Sequence, residues 1–264
     1  MTSQFDQLFA DSTYLELKNR LFSYQLRRRL LAKVLRDRPA QILLDLGSGI
    51  SPIVPPSLST VYGDISPAAM RFLSRRVPGH FVALDISQLP FRAESVPAVV
   101  CSEVLEHVEK DREALQDIYR VLQPGGQLTI TVPLHPYYYT FDDRYVGHFR
   151  RYRLPALTDT LKAIGFGQLE IRKAAGVLEK VATYVMARLF AYLERRGRGS
   201  IGPRWWFAPY KAFNDLWSHV CAWEARVTPM PLITIICIRC HKPPGVHPST
   251  SHGPSRAPRG AGSS

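Results

Sequence analysis

At 264 residues with 45% apolar side chains, the chain is long enough for one fully buried core with decorations. The 34 Lys and Arg against 22 Asp and Glu give a net charge of +12, which favours anionic surfaces such as nucleic acid, phospholipid head groups or acidic substrates. Four scattered cysteines make no disulfide framework, MTSQFDQLF lacks the order of a signal peptide, and no apolar run reaches spanning length; the expected compartment is a reducing cytoplasm.

Residues 13–36 read as an amphipathic helix, with Leu17, Leu21, Tyr24, Leu31 and Leu35 near helical spacing. The run ILLDLGSGISPI, 42–53, then gives a short apolar strand, an acid at Asp45 and a turn with Gly47 and Gly49. Glycine is required where backbone must approach a ligand, because a Cβ would collide with it. A pyrophosphate-binding fingerprint wants Gly or Ala three residues after Gly49, and this chain has Pro52. A cofactor without phosphates, S-adenosylmethionine, fits better.

VYGDISPAAM, 61–70, is a second strand ending at Asp64, with Ser66 as a helix cap and Pro67 in the first turn. Asp64 lies at the offset where an acid accepts both vicinal ribose hydroxyls. HFVALDISQLPF, 80–91, repeats strand then acid: Asp85 can accept from an adenine amine and the Ile86 N–H can serve a ring nitrogen. Ser48, Ile65 and Ser102 flank these positions and complete the candidate cofactor set. PAVVCSEVLEHV, 97–108, is a buried fourth strand and turn. A helix follows with Leu115, Ile118, Tyr119 and Leu122 on one face, expected to stop at the C-cap glycines Gly125 and Gly126 before a fifth strand.

LDLGSG, the acids in VYGD and VALD, SEVLEHV and VLQPGG stand in an order that resembles the class I S-adenosylmethionine-dependent methyltransferases of the type 11 group. The resemblance covers about residues 41–133. GHFRRYRLPALTDTLKAIGF, 147–166, is also similar to a segment of one branch. Ser51 stands where many members carry a third glycine. The resemblance implies an α/β, Rossmann-like seven-stranded sheet of order 3-2-1-4-5-7-6 with the last strand antiparallel. It also implies an N-terminal helix over the cofactor mouth.

The loop LHPYYYTFDDRYVGHFRRY is too polar and aromatic for core and follows a strand's carboxyl end, where open α/β sheets bind ligands. It is expected to face the methyl acceptor, with Tyr137, Arg151 and Tyr152 lining or ordering the site. A helix over 154–164 and a sixth strand over 167–173 follow, and the last strand is expected within 231–242. Between them, residues 176–230 form a helical insert. Its first helix places Leu178, Val181, Val185, Leu189 and Tyr192 on one face; its second places Trp206, Tyr210, Phe213, Trp217 and Val220 on one face. All four tryptophans lie there, with Arg195, Arg196 and Arg198 in the intervening turn. Two readings stay open: a lid over the acceptor, or peripheral contact with anionic membrane. The organisation is therefore an N-terminal helical cap (1–40), a cofactor-binding core (41–175), the insert (176–230), the last strand (231–242) and a disordered tail (243–264).

Methyl transfer from a sulfonium needs alignment and desolvation, and a base only where the acceptor arrives protonated. His107, Asp143 and His148 are the candidate catalytic groups, with His135 nearby. Cys237 and Cys240 form a lone C-x-x-C whose thiols would point to opposite faces of a strand, so no metal is expected. The leading function is methyl transfer to a small-molecule or lipid-linked acceptor. An RNA or protein methyltransferase and a noncatalytic adenine-nucleoside-binding partner subunit are the alternatives; nucleic acid is disfavoured because no base-selecting N-P-P-Y motif is present.

Overall fold

A computed structural model of the chain describes residues 19–36, 42–195 and 207–245. Its centre is a seven-stranded sheet of order β3-β2-β1-β4-β5-β7-β6, as the sequence led us to expect. The strands are β1 (Leu43–Leu46), β2 (Thr60–Asp64), β3 (His80–Ala83), β4 (Val96–Ser102), β5 (Leu122–Pro133), β6 (Gly167–Ala175) and β7 (Ile235–His241). β1 to β5 pair in parallel, and β7 runs antiparallel to both β5 and β6.

The helices are α1 (Phe22–Val34), α2 (Pro67–Ser74), α3 (Asp111–Val121), α4 (Phe141–Val146), α5 (Leu154–Ile164), α6 (Val177–Arg195) and α7 (Phe207–Val227). The pleat sends alternate side chains to opposite layers. Val100 and Cys237 join the core beneath α1 and α2, with Leu31, Met70 and Leu73. Cys101 and Cys240 join the core beneath α3 and α5, with Leu115, Ile118, Leu157 and Leu161. Cys237 and Cys240 thus lie on opposite faces of the sheet. Each fully buried Leu or Ile here contributes about 1.5–3 kcal/mol.

Local signals explain the element ends. The Ser66 hydroxyl accepts from the Ala69 N–H at 3.2 Å, with Pro67 following, so α2 begins where a cap and a fixed φ coincide. One boundary differs from expectation. α3 ends at Val121, and Leu122 already has extended backbone. Pro124, Gly125 and Gly126 therefore lie within β5, where the Gly125 N–H donates to the Lys242 carbonyl at 2.9 Å and the Lys242 N–H to the Gly126 carbonyl at 2.9 Å. Pairing with the incoming β7 supplies the hydrogen bonds that a helix cap would have supplied. Of the expected tail, 243–264, residues 246–264 lie outside the described residues, as does the start of the N-terminal cap.

Candidate functional site

The cofactor end is built from three neighbouring strand ends. After β1 the chain turns at Gly47 and Gly49 with φ of +71° and +54°. At Gly47 a Cβ would meet Val104 Cγ2 at 2.3 Å, so only glycine fits between β1 and the turn after β4. The Gly47 and Ser48 N–H groups donate to the Gly63 carbonyl at 2.7 and 3.2 Å, tying the turn to β2. Asp64 holds the turn from the other side: Oδ2 accepts from Gly49 N at 2.9 Å and Oδ1 from Ser66 N at 2.9 Å. The acid expected to receive ribose hydroxyls therefore also shapes the loop that would carry the cofactor.

Asp45 is buried, and its Oδ2 has no hydrogen-bond partner. Burial, and then the charge of Asp64, push its carboxyl up to about 8. The Ser48 and Ser51 hydroxyls beside it are likewise buried without partners. Asp85 is exposed; the hydroxyl and N–H of Ser87, at 2.7 and 2.8 Å, occupy Oδ1 and hold its carboxyl below the usual range. Ile86 is buried beside it and Ile65 is exposed after β2. The Ser102 and Thr131 hydroxyls bond each other at 2.7 Å at the ends of β4 and β5. α1 leans onto the glycine turn, where the Tyr24 hydroxyl donates to the Ser51 and Pro52 carbonyls at 2.9 and 2.5 Å.

The acceptor loop is organised about Asp143. Its Oδ1 accepts from Arg151 Nε at 2.7 Å and His148 Nδ1 at 2.9 Å, and its Oδ2 from Lys180 Nζ at 2.7 Å and Thr140 N at 3.0 Å. Lys180, buried on α6, also bonds both oxygens of Asp142 at 2.9 and 2.7 Å. Burial alone would raise the Asp143 carboxyl, but the hydrogen bonds of His148 and Lys180 and the charge of Arg151 hold it well below the usual carboxylate range. So Asp143 is a saturated anion that anchors the loop, with no oxygen left to accept a proton near neutral pH. Tyr152 turns away from this cluster and donates to Asp111 Oδ2 at 2.8 Å, fastening the loop to α3; burial, then Asp111, raise its hydroxyl. The exposed Tyr137 stacks on His135 at 4.9 Å and donates to the Pro231 carbonyl.

His148 and His107 meet edge to face at 4.6 Å. One edge of His107 faces solvent, yet burial of the ring and then His148 push its pKa down to about 4, so it is neutral at physiological pH. Between them lies Glu106, fully buried, with no hydrogen-bond partner on either carboxylate oxygen. The SEVLEHV segment was legible as a turn, but spacing alone gave no reason to separate Glu106 from a surface acid. Lys180 and Tyr24 were also missed as site residues, because each acts on a segment far away in sequence.

The insert is inverted relative to an ordinary surface helix. α6 buries Glu179 and Lys180 and exposes Val181, Val185, Leu189 and Tyr192. α7 buries Asn214, Ser218, Cys221 and Ala225 and exposes Phe213, Leu216 and Trp223. The apolar face read for α6 is thus turned to solvent. The face read for α7 is split: Phe213 is exposed while Trp217, stacked on it at 6.0 Å, packs against the core. Trp205, Trp206, Arg196 and Arg198 lie outside the described residues.

Residues 44–130 match the family model described as a methyltransferase domain. Over this stretch the chain is similar to methyltransferase domains. A demethylmenaquinone methyltransferase of Renibacterium salmoninarum is 32% identical over 137 residues, covering 50% of this chain and 57% of that protein. The homologue of the same name from Streptomyces avermitilis is 33% identical over 129 residues, covering 47% and 56%. The chain thus spans little more than half the length of these curated relatives. Among solved structures, a chain from the complex between the Haloferax volcanii Trm112 methyltransferase activator and a methyltransferase aligns with a TM-score of 0.58 at 16% identity, covering 92% of this chain and 99% of that one. At that identity the likeness shows the fold alone. The methyl donor of such a domain is S-adenosylmethionine. The residues present fit it: a turn whose Gly47 admits no Cβ, an acid at or beside the ends of three adjacent strands, and orphaned buried oxygens on Asp45, Ser48 and Ser51.

Proposed function

We propose that the protein transfers a methyl group from S-adenosylmethionine to a small-molecule or lipid-linked acceptor held at the carboxyl ends of β4 and β5. The observation that carries this reading is the placement of Asp45, Asp64 and Asp85 on adjacent strand ends, with the acceptor loop beside them on the same edge of the sheet. Bound S-adenosylmethionine supplies a methyl on a positively charged sulfur, already activated for in-line displacement. The protein's work is then alignment and exclusion of water. Asp64 and Asp85 orient the adenosine part, Gly47 and Gly49 admit it to the backbone, and Tyr24 draws α1 over the turn. Asp143, Arg151 and Lys180 fix the acceptor loop and its His148.

The acceptor is apolar and the protein meets it at an anionic membrane surface. The support is the inverted insert: α6 and α7 bury charge and small polar groups while presenting Val185, Leu189, Leu216 and Trp223 outward, at 55, 46, 67 and 63% exposure. The net charge of +12 favours the same surface. No helix among the described residues is long and apolar enough to cross a membrane. The relatives named for demethylmenaquinone support an acceptor of the quinone class.

Titration calorimetry with S-adenosylhomocysteine, followed by incubation of a lipid extract with methyl-labelled S-adenosylmethionine, tests the reading. Binding near one per chain and label in an organic-soluble product are expected. Absence of S-adenosylhomocysteine binding would overturn the function. Label entering only RNA or protein would overturn the acceptor class.

A further inference from the structure

We propose that Glu106, His107 and His148 form a binding site for a divalent transition-metal ion. Glu106 and His107 stand on the 3-10 turn after β4, and His148 on the acceptor loop after β5. One ligand atom from each lies within 4.8 Å of the others, and His148 Nε2 is 3.9 Å from Glu106 Oε1. Bonds of about 2.1 Å to a common ion bring neighbouring ligand atoms to roughly 3.0–3.5 Å, so rotation of two side chains by less than about 1 Å closes the site.

The second, independent observation is the state of Glu106. Its side chain is 0% exposed, and neither carboxylate oxygen has a hydrogen-bond partner. A carboxylate so placed is stable only if it is protonated or meets a cation. Arg27 and Arg151 act on Glu106 only as nearby charges and make their close contacts elsewhere: the Arg27 guanidinium lies 3.6 Å from Glu103, and Arg151 Nε donates to Asp143. Glu103, whose Oε1 is also buried without a partner, adds further negative charge beside Glu106.

The histidines are already oriented. His148 gives Nδ1 to Asp143 Oδ1 at 2.9 Å, which leaves the Nε2 lone pair toward Glu106; a carboxylate behind a histidine is the usual support of a metal-binding ring. The Gly147 backbone makes a hydrogen bond to the His107 ring. The Phe149 N–H donates to the Glu106 carbonyl at 2.8 Å, locking the two segments together. Two imidazoles and one carboxylate are a donor set for zinc, iron(II), manganese or cobalt rather than for calcium or magnesium. Three protein ligands leave coordination positions open. The further suggestion that an acceptor oxygen takes one of them rests on the methyl-transfer reading; the metal site itself does not. The absence of a metal was expected from Cys237 and Cys240 alone, and the ligands come from two segments that only the fold joins.

The test uses the full chain, treated with chelator, desalted, and titrated with Co2+ and Zn2+. Co2+ should give absorption bands of a nitrogen-containing site, saturating at one equivalent and displaced by Zn2+. Glu106→Gln and His107→Ala should each weaken Co2+ binding by at least about tenfold, while S-adenosylhomocysteine binding, measured in parallel, stays unchanged. His107→Ala carries the test if the buried Glu106→Gln variant does not fold. No stoichiometric metal binding by the parent chain, or parental affinity in His107→Ala, would overturn the proposal. A chain that binds Co2+ but not S-adenosylhomocysteine would uphold the metal site and remove the methyl-transfer reading.

Discussion

Replacing Asp143 by Asn keeps the volume of the side chain and removes its charge from the centre of the acceptor loop. Lys180, Arg151, His148 and Thr140 all donate to this carboxylate, and the side chain is fully buried. Breaking a buried pair costs about 3–5 kcal/mol, because the surviving cation is left without its partner. Lys180 retains Asp142, so the lower end applies, about 3 kcal/mol. For a chain of this size that lowers the melting temperature by about 6 °C. The pH dependence has a definite sign. The folded carboxyl is depressed, so its contribution is present above the unfolded value of about 3.9 and is lost as pH falls through the folded value. The gap between parent and variant should persist from neutral pH to about pH 5 and shrink below about pH 4. Calorimetric melting across pH measures both. S-adenosylhomocysteine affinity should be unchanged, since Asp143 lies outside the candidate cofactor residues on and after β1 to β4. A variant melting within about 1 °C of the parent, or a gap that widens with acid, would refute the network as an energetic unit.

Three further outcomes are expected. Asp64→Ala should weaken S-adenosylhomocysteine by about 2–3 kcal/mol, roughly 30- to 150-fold, since it removes charged acceptors and frees the Gly49 turn; calorimetry reads this, and parental affinity would contradict the assignment. The Asp45 carboxyl is raised to about 8, so it destabilises the fold progressively as pH rises from about 4 through that value; Asp45→Asn should gain on the parent as pH rises, melting higher near pH 9 with a much smaller advantage near pH 5. Replacing Val185 and Leu189 together by Ser should reduce partition onto anionic vesicles more than tenfold, from about 1.5 kcal/mol per side chain; undiminished co-sedimentation would exclude α6 as the contact.

Much of the sheet was legible because each signal was local. The strand-end acids Asp45, Asp64 and Asp85 follow short apolar runs, and Ser66-Pro67 announces α2 within two residues. The misplacement of Gly125 and Gly126 has a physical cause: a proline and two glycines read as a helix stop until β7, more than a hundred residues later, arrives to pair with them. The candidate site divides in the same way. Asp143 and His148 could be named from the loop's composition, but nothing local says that Lys180 and Arg151 converge on Asp143 and saturate it. Tyr152 shares that loop and looks like its neighbours, yet its hydroxyl reaches α3.

The insert shows where amphipathic pattern stops being informative. Periodicity gave the apolar face of α6 correctly, and the ordinary inference is that such a face is buried. Here the opposite face is buried, because Lys180 and Glu179 have partners waiting: Asp142 and Asp143 on α4, and Thr183 on α6 itself. Rotating the helix to turn Val181 and Val185 inward would take the ammonium of Lys180 away from Asp142 and Asp143, leaving two buried carboxylates short of a shared donor. The charged face therefore fixes α6 over the acceptor loop, and the apolar face is left outward as a consequence. Under the proposed function, lid and membrane contact, opposed when read from sequence, become two faces of one helix: the charged face fixes the acceptor loop, and the apolar face is the one offered to a lipid surface.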